Sequence, residues 1–288
     1  MKVDSRISGR SALMGILSFV IVLLMMPLGH ALMILMEHLL TRSQVNVAAL
    51  CMAIAGLALT LGCTRLKSDT AGTVAGLTGG LLFWTGGVEF LYVYFAHKLS
   101  VAPLTDNGVV VTKPEYLLMP SSAAFLLLVW VIYIWELPSG CPFFTFLRKH
   151  LASGQAVTAR KRSAAVVTFM ELNVIMWSSY IVLLLCYDST FGGDHSWLTL
   201  TVAGVCLGAS VWMFRNLLRL RAWGYSLRYA TATVIIFWTF VEVMGRLNIM
   251  EEIWVRPLEY ALQMSVIAGI FIIMIIFAYI NGRRHNRK

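Results

Sequence analysis

The chain has 288 residues, 59% of them hydrophobic and 13% charged, with a formal net charge of +9. A soluble domain carries about 25% charged residues, so this composition, with a mean hydropathy of +0.77, excludes an ordinary water-soluble enzyme and puts most of the surface in lipid. The positive charge follows from loop topology and anionic head groups, and it implies no nucleic-acid partner.

Eight stretches are long and apolar enough to span a bilayer as helices: residues 11–40, 44–63, 73–97, 117–137, 164–187, 197–214, 229–245 and 258–280. The expected fold class is therefore all-α, a polytopic integral membrane helical bundle. The first stretch is too long for the apolar core of a signal peptide and reads as a retained span. It carries Pro27, Gly29, His30, Glu37 and His38. The third contains "FWTGGVE" at residues 83–89 and ends with His97 and Lys98. Glu89 thus sits about 13 Å below the helix end, where a carboxylate costs a few kcal/mol unless it is protonated, paired or hydrated. The fourth opens with "KPEYLLM", carrying Glu115, and closes near Glu136.

A basic linker, 148–163, leads to the fifth span, which holds Glu171 and Asn173. Glu136 and Glu171 read as ion-paired or snorkelling residues on the cytoplasmic side. The next loop, "YDSTFGGDHSW", carries Asp188, Asp194, His195 and Trp197. The seventh span holds "FWTFVE" at 237–242, ending in Glu242, and the last opens with "PLEYALQM", carrying Glu259. Five cysteines, Cys51, Cys63, Cys141, Cys186 and Cys206, lack metal-like spacing and read as small buried hydrophobes.

The paired phrases suggest a duplicated four-helix unit, 1–147 and 164–288, joined by the linker 148–163. Four spans per unit would make the copies parallel. Glu89 then corresponds to Glu242, and Glu115 to Glu259. Eighteen of the 23 Lys and Arg residues fall on one side of the eight-span arrangement. That side is expected to be the cytoplasm, holding both termini, in a bacterial-type inner (plasma) membrane.

His30, Glu37, His38, Glu89, His97, His195, Glu242 and Glu259 all belong to the outer half. Carboxylate and imidazole together suit Cu, Zn, Fe or Mn, or a proton relay. Soluble-enzyme motifs such as a Gly-rich phosphate loop, HExxH or GxSxG are absent.

"VEVMGRLNIMEEIWVRPLEYALQ" at 241–263 resembles the last helical hairpin of the C subunit of copper membrane monooxygenases, the particulate methane and ammonia monooxygenase family. Met250, Glu251, Glu252, Ile253, Trp254, Val255, Pro257, Leu258 and Tyr260 fit that family's string. At the three places where the family has copper ligands, this chain has Val241, Gly245 and Glu259. The resemblance implies a membrane scaffold, copper or another transition metal, partner subunits, and ligation routed through Glu259, His195 and the acids of the first half.

Three functions fit the sequence. One is a subunit of an oxidase- or monooxygenase-like complex with an outer-half metal site. Another is a proton- or cation-coupled transporter or channel using the glutamates at the repeat interface. The last is a scaffold whose acids are satisfied by Trp84, Tyr92, Tyr94 and Trp238. Expected partners are the bilayer and either further membrane subunits or second copies of this chain.

Overall fold

A computed structural model describes residues 8–106, 109–135 and 163–285. Eight helices follow in chain order among these residues. They are α1 (Gly9–Leu39), α2 (Arg42–Gly62), α3 (Asp69–Lys98), α4 (Pro114–Leu118 and Ala123–Trp135, joined by a 3-10 turn), α5 (Ala164–Tyr187), α6 (Trp197–Leu217), α7 (Trp223–Arg246) and α8 (Ala261–His285). Seven of them, α1 to α7, are long and apolar enough to cross a membrane; α8 is apolar over Ala261–Phe277. The protein is an all-α polytopic bundle. The expected linker 148–163 (except Ser163), Glu136 and Cys141 lie outside the described residues.

Local sequence sets the helix starts. Ser8 and Ser11 form a reciprocal capping box on α1, and at the start of α2 the Gln44 side chain accepts from the Thr41 backbone N–H at 2.9 Å. Ser68 and Ser196 each accept a backbone N–H from the first turn of α3 and α6. Each cap satisfies donors that would otherwise be orphaned at a helix end. Pro27 lies inside α1 without ending it, which is tolerated in membrane helices where neighbours repair the lost bond.

Burial divides the helices into two classes. From 50% to 72% of the apolar windows of α1, α3, α5 and α7 is buried, against 11% to 22% for α2, α4 and α6. The odd-numbered helices therefore form the centre, with the even-numbered ones outside. Val47, Leu50 and Ile54 of α2, and Leu262, Val266 and Ile273 of α8, are exposed apolar side chains suited to lipid.

The central helices run in one direction. Along α3 and α5, Gly76 meets Ala165 and Thr168, Gly80 meets Leu172, and Trp84 stacks on Tyr180. Both sequences rise together, so the pair is parallel. Along α1 and α7, Phe19 meets Phe237 and His30 meets Glu242, in the same sense. Small residues permit the close approaches: a Cβ on Gly76 would collide with the Ala165 carbonyl.

Three expectations change. First, α7 starts at Trp223, six residues before its expected start, so Arg228 is not in a loop. It is 8% exposed and its Nη1 donates to Asp69 Oδ1 at 3.0 Å and to Thr73 Oγ1 at 2.7 Å. Those partners on α3 make a buried guanidinium tolerable. Second, Glu171 is 1% exposed, enclosed among the helices rather than snorkelling. Third, Cys51 is exposed on the outer helix α2, whereas Cys186 is buried. A small hairpin, β1 (Leu104–Asp106) with β2 (Val109–Thr112), also joins α3 to α4. Its signal is the β-branched run "VVVT" after Asn-Gly in "TDNG".

Candidate functional site

The C-terminal halves of α1, α3, α5 and α7 surround a cavity of about 240 Å³, closed on one side by the hairpin and the α7–α8 loop. His30, Glu37, Glu89 and Glu242 all line it. Acids from the two expected halves therefore share one hollow.

Glu89 arrives there through a break in helical regularity. Residues Trp84–Glu89 form a π-helical turn inside α3. The two sequence phrases explain it. "FWTGGVE" is one residue longer than "FWTFVE", and the extra residue is a glycine. An insertion into an α-helix would turn everything beyond it by about 100°. A π-turn absorbs it, and such turns cluster at functional sites. In α7 the uninterrupted helix puts Trp238 and Glu242 four residues apart, and Trp238 Nε1 donates to Glu242 Oε1 at 2.6 Å.

Glu89 is 6% exposed. Among the described residues its single hydrogen bond comes from the Tyr116 hydroxyl, 3.3 Å from Oε1, which leaves Oε2 without a donor. Tyr116 stacks on Tyr180 with ring centroids 5.9 Å apart, and Tyr180 stacks on Trp84 at 5.6 Å. This aromatic pile links α4, α5 and the π-turn. The Tyr180 hydroxyl is 2.9 Å from His30 Nε2, which lies 3.5 Å from Glu242 Oε1. Two carboxylates, an imidazole and two phenols thus face a common space.

The mouth is built from loops. Arg246 Nε donates to Asp194 Oδ2 at 2.9 Å, and its Nη2 donates to Thr112 Oγ1 at 3.0 Å. The guanidinium also covers the Tyr187 ring, 4.9 Å from its centroid. Glu252 packs its carboxyl against Gly245, where any Cβ would strike it. Burial pushes the Glu252 carboxyl up to about 7, and the neighbouring Glu242 adds to the rise, while His30 and Arg246 oppose it.

A second cavity, of about 530 Å³, adjoins the first. Glu37, Val93, Lys113 and Glu115 line both. Arg42, His97 and Lys98 belong to the second alone.

The remaining candidates lie apart. His38 is exposed and its Nδ1 is 2.9 Å from the Ile34 carbonyl oxygen. His195 is exposed in the α5–α6 loop. Glu259 is exposed, 3.6 Å from Arg256. His97 faces the second cavity, away from His30. Among the described residues no group of three or more His, Cys, Asp or Glu side chains comes together to hold a metal ion. Trp238 donates to the partly buried Glu242, whereas Trp84 stacks on Tyr180.

Sequence reasoning missed Tyr116, Tyr180, Tyr187, Arg246 and Glu252 as site residues. Tyr116 and Glu252 stood inside quoted motifs beside the acids chosen. Tyr180 carries no local signal, because an aromatic residue in a span usually means packing.

No protein-family model, curated protein or solved structure matches the chain. The resemblance of residues 241–263 to the monooxygenase C subunit therefore rests on those residues alone.

Proposed function

We propose that this protein is a cation-binding membrane transporter in which a proton exchanges for the bound cation. The single observation that carries this reading is the shared cavity: Glu89 from α3 and Glu242 from α7 face one hollow. Lys113 and Arg246 are the lining Lys and Arg residues, against five lining glutamates, and Arg246 is already engaged by Asp194. An acid excess in a partly dehydrated cavity attracts positive charge. Four parallel helices add the negative ends of their dipoles at this end.

In this mechanism His30 and Glu242 hold a proton between them. A cation settling between Glu89 and Glu242 neutralises the carboxylates and repels that proton, which leaves through the chamber mouth. One charge enters and one departs. The chamber end is the outer end in the topology set by the basic loops, with both termini cytoplasmic in a plasma membrane.

The packing also supports duplication. Helix α1 packs on α7 as α5 packs on α3, and α2 packs on α3 as α6 packs on α7. Exchanging the two four-helix halves reproduces both relations, as an axis along the membrane normal requires.

The test is proton release into weakly buffered detergent solution, read with a pH-indicator dye as ethylammonium chloride is added to the full chain. Wild type should release a proton on binding, and Glu89→Gln and Glu242→Gln should both diminish that release. A wild-type protein that releases no proton, or variants that release as much, would remove the proposal.

A further inference from the structure

We infer that the two adjoining cavities together take a zwitterionic head group, an ammonium joined by a short linker to a phosphate ester; this rests on reading the chamber as a cation site. The acidic cavity supplies the ammonium end. Glu89 is 6% exposed and offers an oxygen with no donor. Tyr116, Tyr180 and Trp254 line the same space, and aromatic faces beside carboxylates suit an alkylammonium better than a hydrated metal ion.

The neighbouring cavity has the opposite character. Arg42, Lys98 and Lys113 line it with His97, against Glu37 and Glu115. Among the described residues, none of these three cations has an ion-pair partner. Their charge is therefore available to an anion, and arginine and lysine are the usual binders of phosphate. Lys113 lines both cavities, so the phosphate of a short linker would sit at the shared wall, with its ammonium directed toward Glu89. Apolar side chains complete the second cavity: Leu40 and Val45 at its α1–α2 side, Phe90 and Tyr94 on α3. Tyr94 is 41% exposed on α3, and acyl chains attached to the phosphate would lie along it.

The same head-group chemistry comes from a membrane phospholipid or from free phosphoethanolamine. The experiment measures intrinsic tryptophan fluorescence of the detergent-solubilised full chain. The titrants are dioctanoyl phosphatidylethanolamine, dioctanoyl phosphatidylglycerol, phosphoethanolamine and ethylammonium. The ethanolamine lipid should bind about tenfold or more tightly than the glycerol lipid. Glu89→Gln should erase that preference while glycerol-lipid binding persists, which also shows the variant is folded. The surface variant Lys113→Ala should weaken both lipids. Competition by phosphoethanolamine identifies the head group as sufficient, and its failure to compete assigns the site to the lipid. Equal affinity for the two lipids, or a preference that survives Glu89→Gln, overturns the inference. So does ethylammonium binding as tightly as phosphoethanolamine, although that result leaves the cation reading standing. Preferential ethanolamine-lipid binding without any proton release would overturn proton exchange and leave the head-group site intact.

Discussion

Glu242 Oε1 accepts the Trp238 indole N–H at 2.6 Å and lies 3.5 Å from His30 Nε2. One carboxylate oxygen is therefore fixed by its own helix and presented to another. Trp238→Phe removes the donor and leaves a partly buried acid less satisfied. The expected loss is about 1–3 kcal/mol of stability, read as a lower midpoint in thermal unfolding in detergent. An unchanged midpoint would show that the indole bond holds nothing.

The π-turn makes a contrast between two deletions. Removing Gly87 shortens "FWTGGVE" to the spacing of its sister phrase and lets α3 run as plain α-helix, with the residues beyond it near their present orientation. Removing Phe240 from α7 has no such reservoir and turns Glu242 by about 100°. The Gly87 deletion should keep a monodisperse, folded protein, and the Phe240 deletion should not. Size-exclusion profiles of the two proteins decide the matter.

Glu252 ties stability to pH. Burial holds its carboxyl up at about 7 in the folded protein, above the ordinary glutamate range. The folded chain thus binds the proton more tightly than the unfolded one, and stability falls as pH rises through that interval. The melting temperature should decline between about pH 5 and about pH 7.5, and Glu252→Gln should flatten the decline. A Glu252→Gln curve parallel to wild type would assign the effect elsewhere.

Gly245 is what lets Glu252 reach the side of α7. Gly245→Ala should push the carboxyl into water and return its titration toward about 4.3, the value of a free glutamate. Infrared difference spectra of the carboxyl band across pH would follow that shift. No movement of the band would mean that Glu252 is buried by something other than this contact.

Arg228 and Asp69 join the opposite ends of α7 and α3 to those that form the chamber. Arg228→Met should cost about 1–3 kcal/mol, discounted because the Asp69 side chain is 50% exposed and already screened by water. Asp69→Asn should cost less, since Thr73 still accepts from the guanidinium. Unfolding in graded SDS would rank the two.

The helical architecture was legible because a bilayer demands long apolar stretches, and hydropathy reports those directly. The convergence of Glu89 and Glu242 was legible too, since an acid kept at depth needs company and the repeated phrase named the pair. Other features depend on tertiary relations that leave little trace in one chain. Arg228 read as a loop cation because positive charge beside a span ordinarily marks topology; only Asp69 and Thr73, distant in sequence, make it a buried residue. Tyr180 looked like packing. His38, His195 and Glu259 share the residue types of the cavity's acids and imidazole, but helix phase and loop position place them outside its lining. The extra glycine of "FWTGGVE" was visible as a difference in length between two phrases, and its meaning needed the backbone.

The depth of Glu89 has an electrical consequence. It lies nine residues before Lys98 on α3, about 13 Å along the helix, in a hydrocarbon layer of roughly 30 Å. A charge moving from the surface to that carboxylate traverses about 40% of the transmembrane field, worth about 1 kcal/mol per 100 mV. A cation that enters while a proton leaves by the same mouth carries no net charge through that field, so chamber occupancy should be indifferent to membrane voltage; a several-fold voltage dependence would mean that the cation enters without expelling a proton.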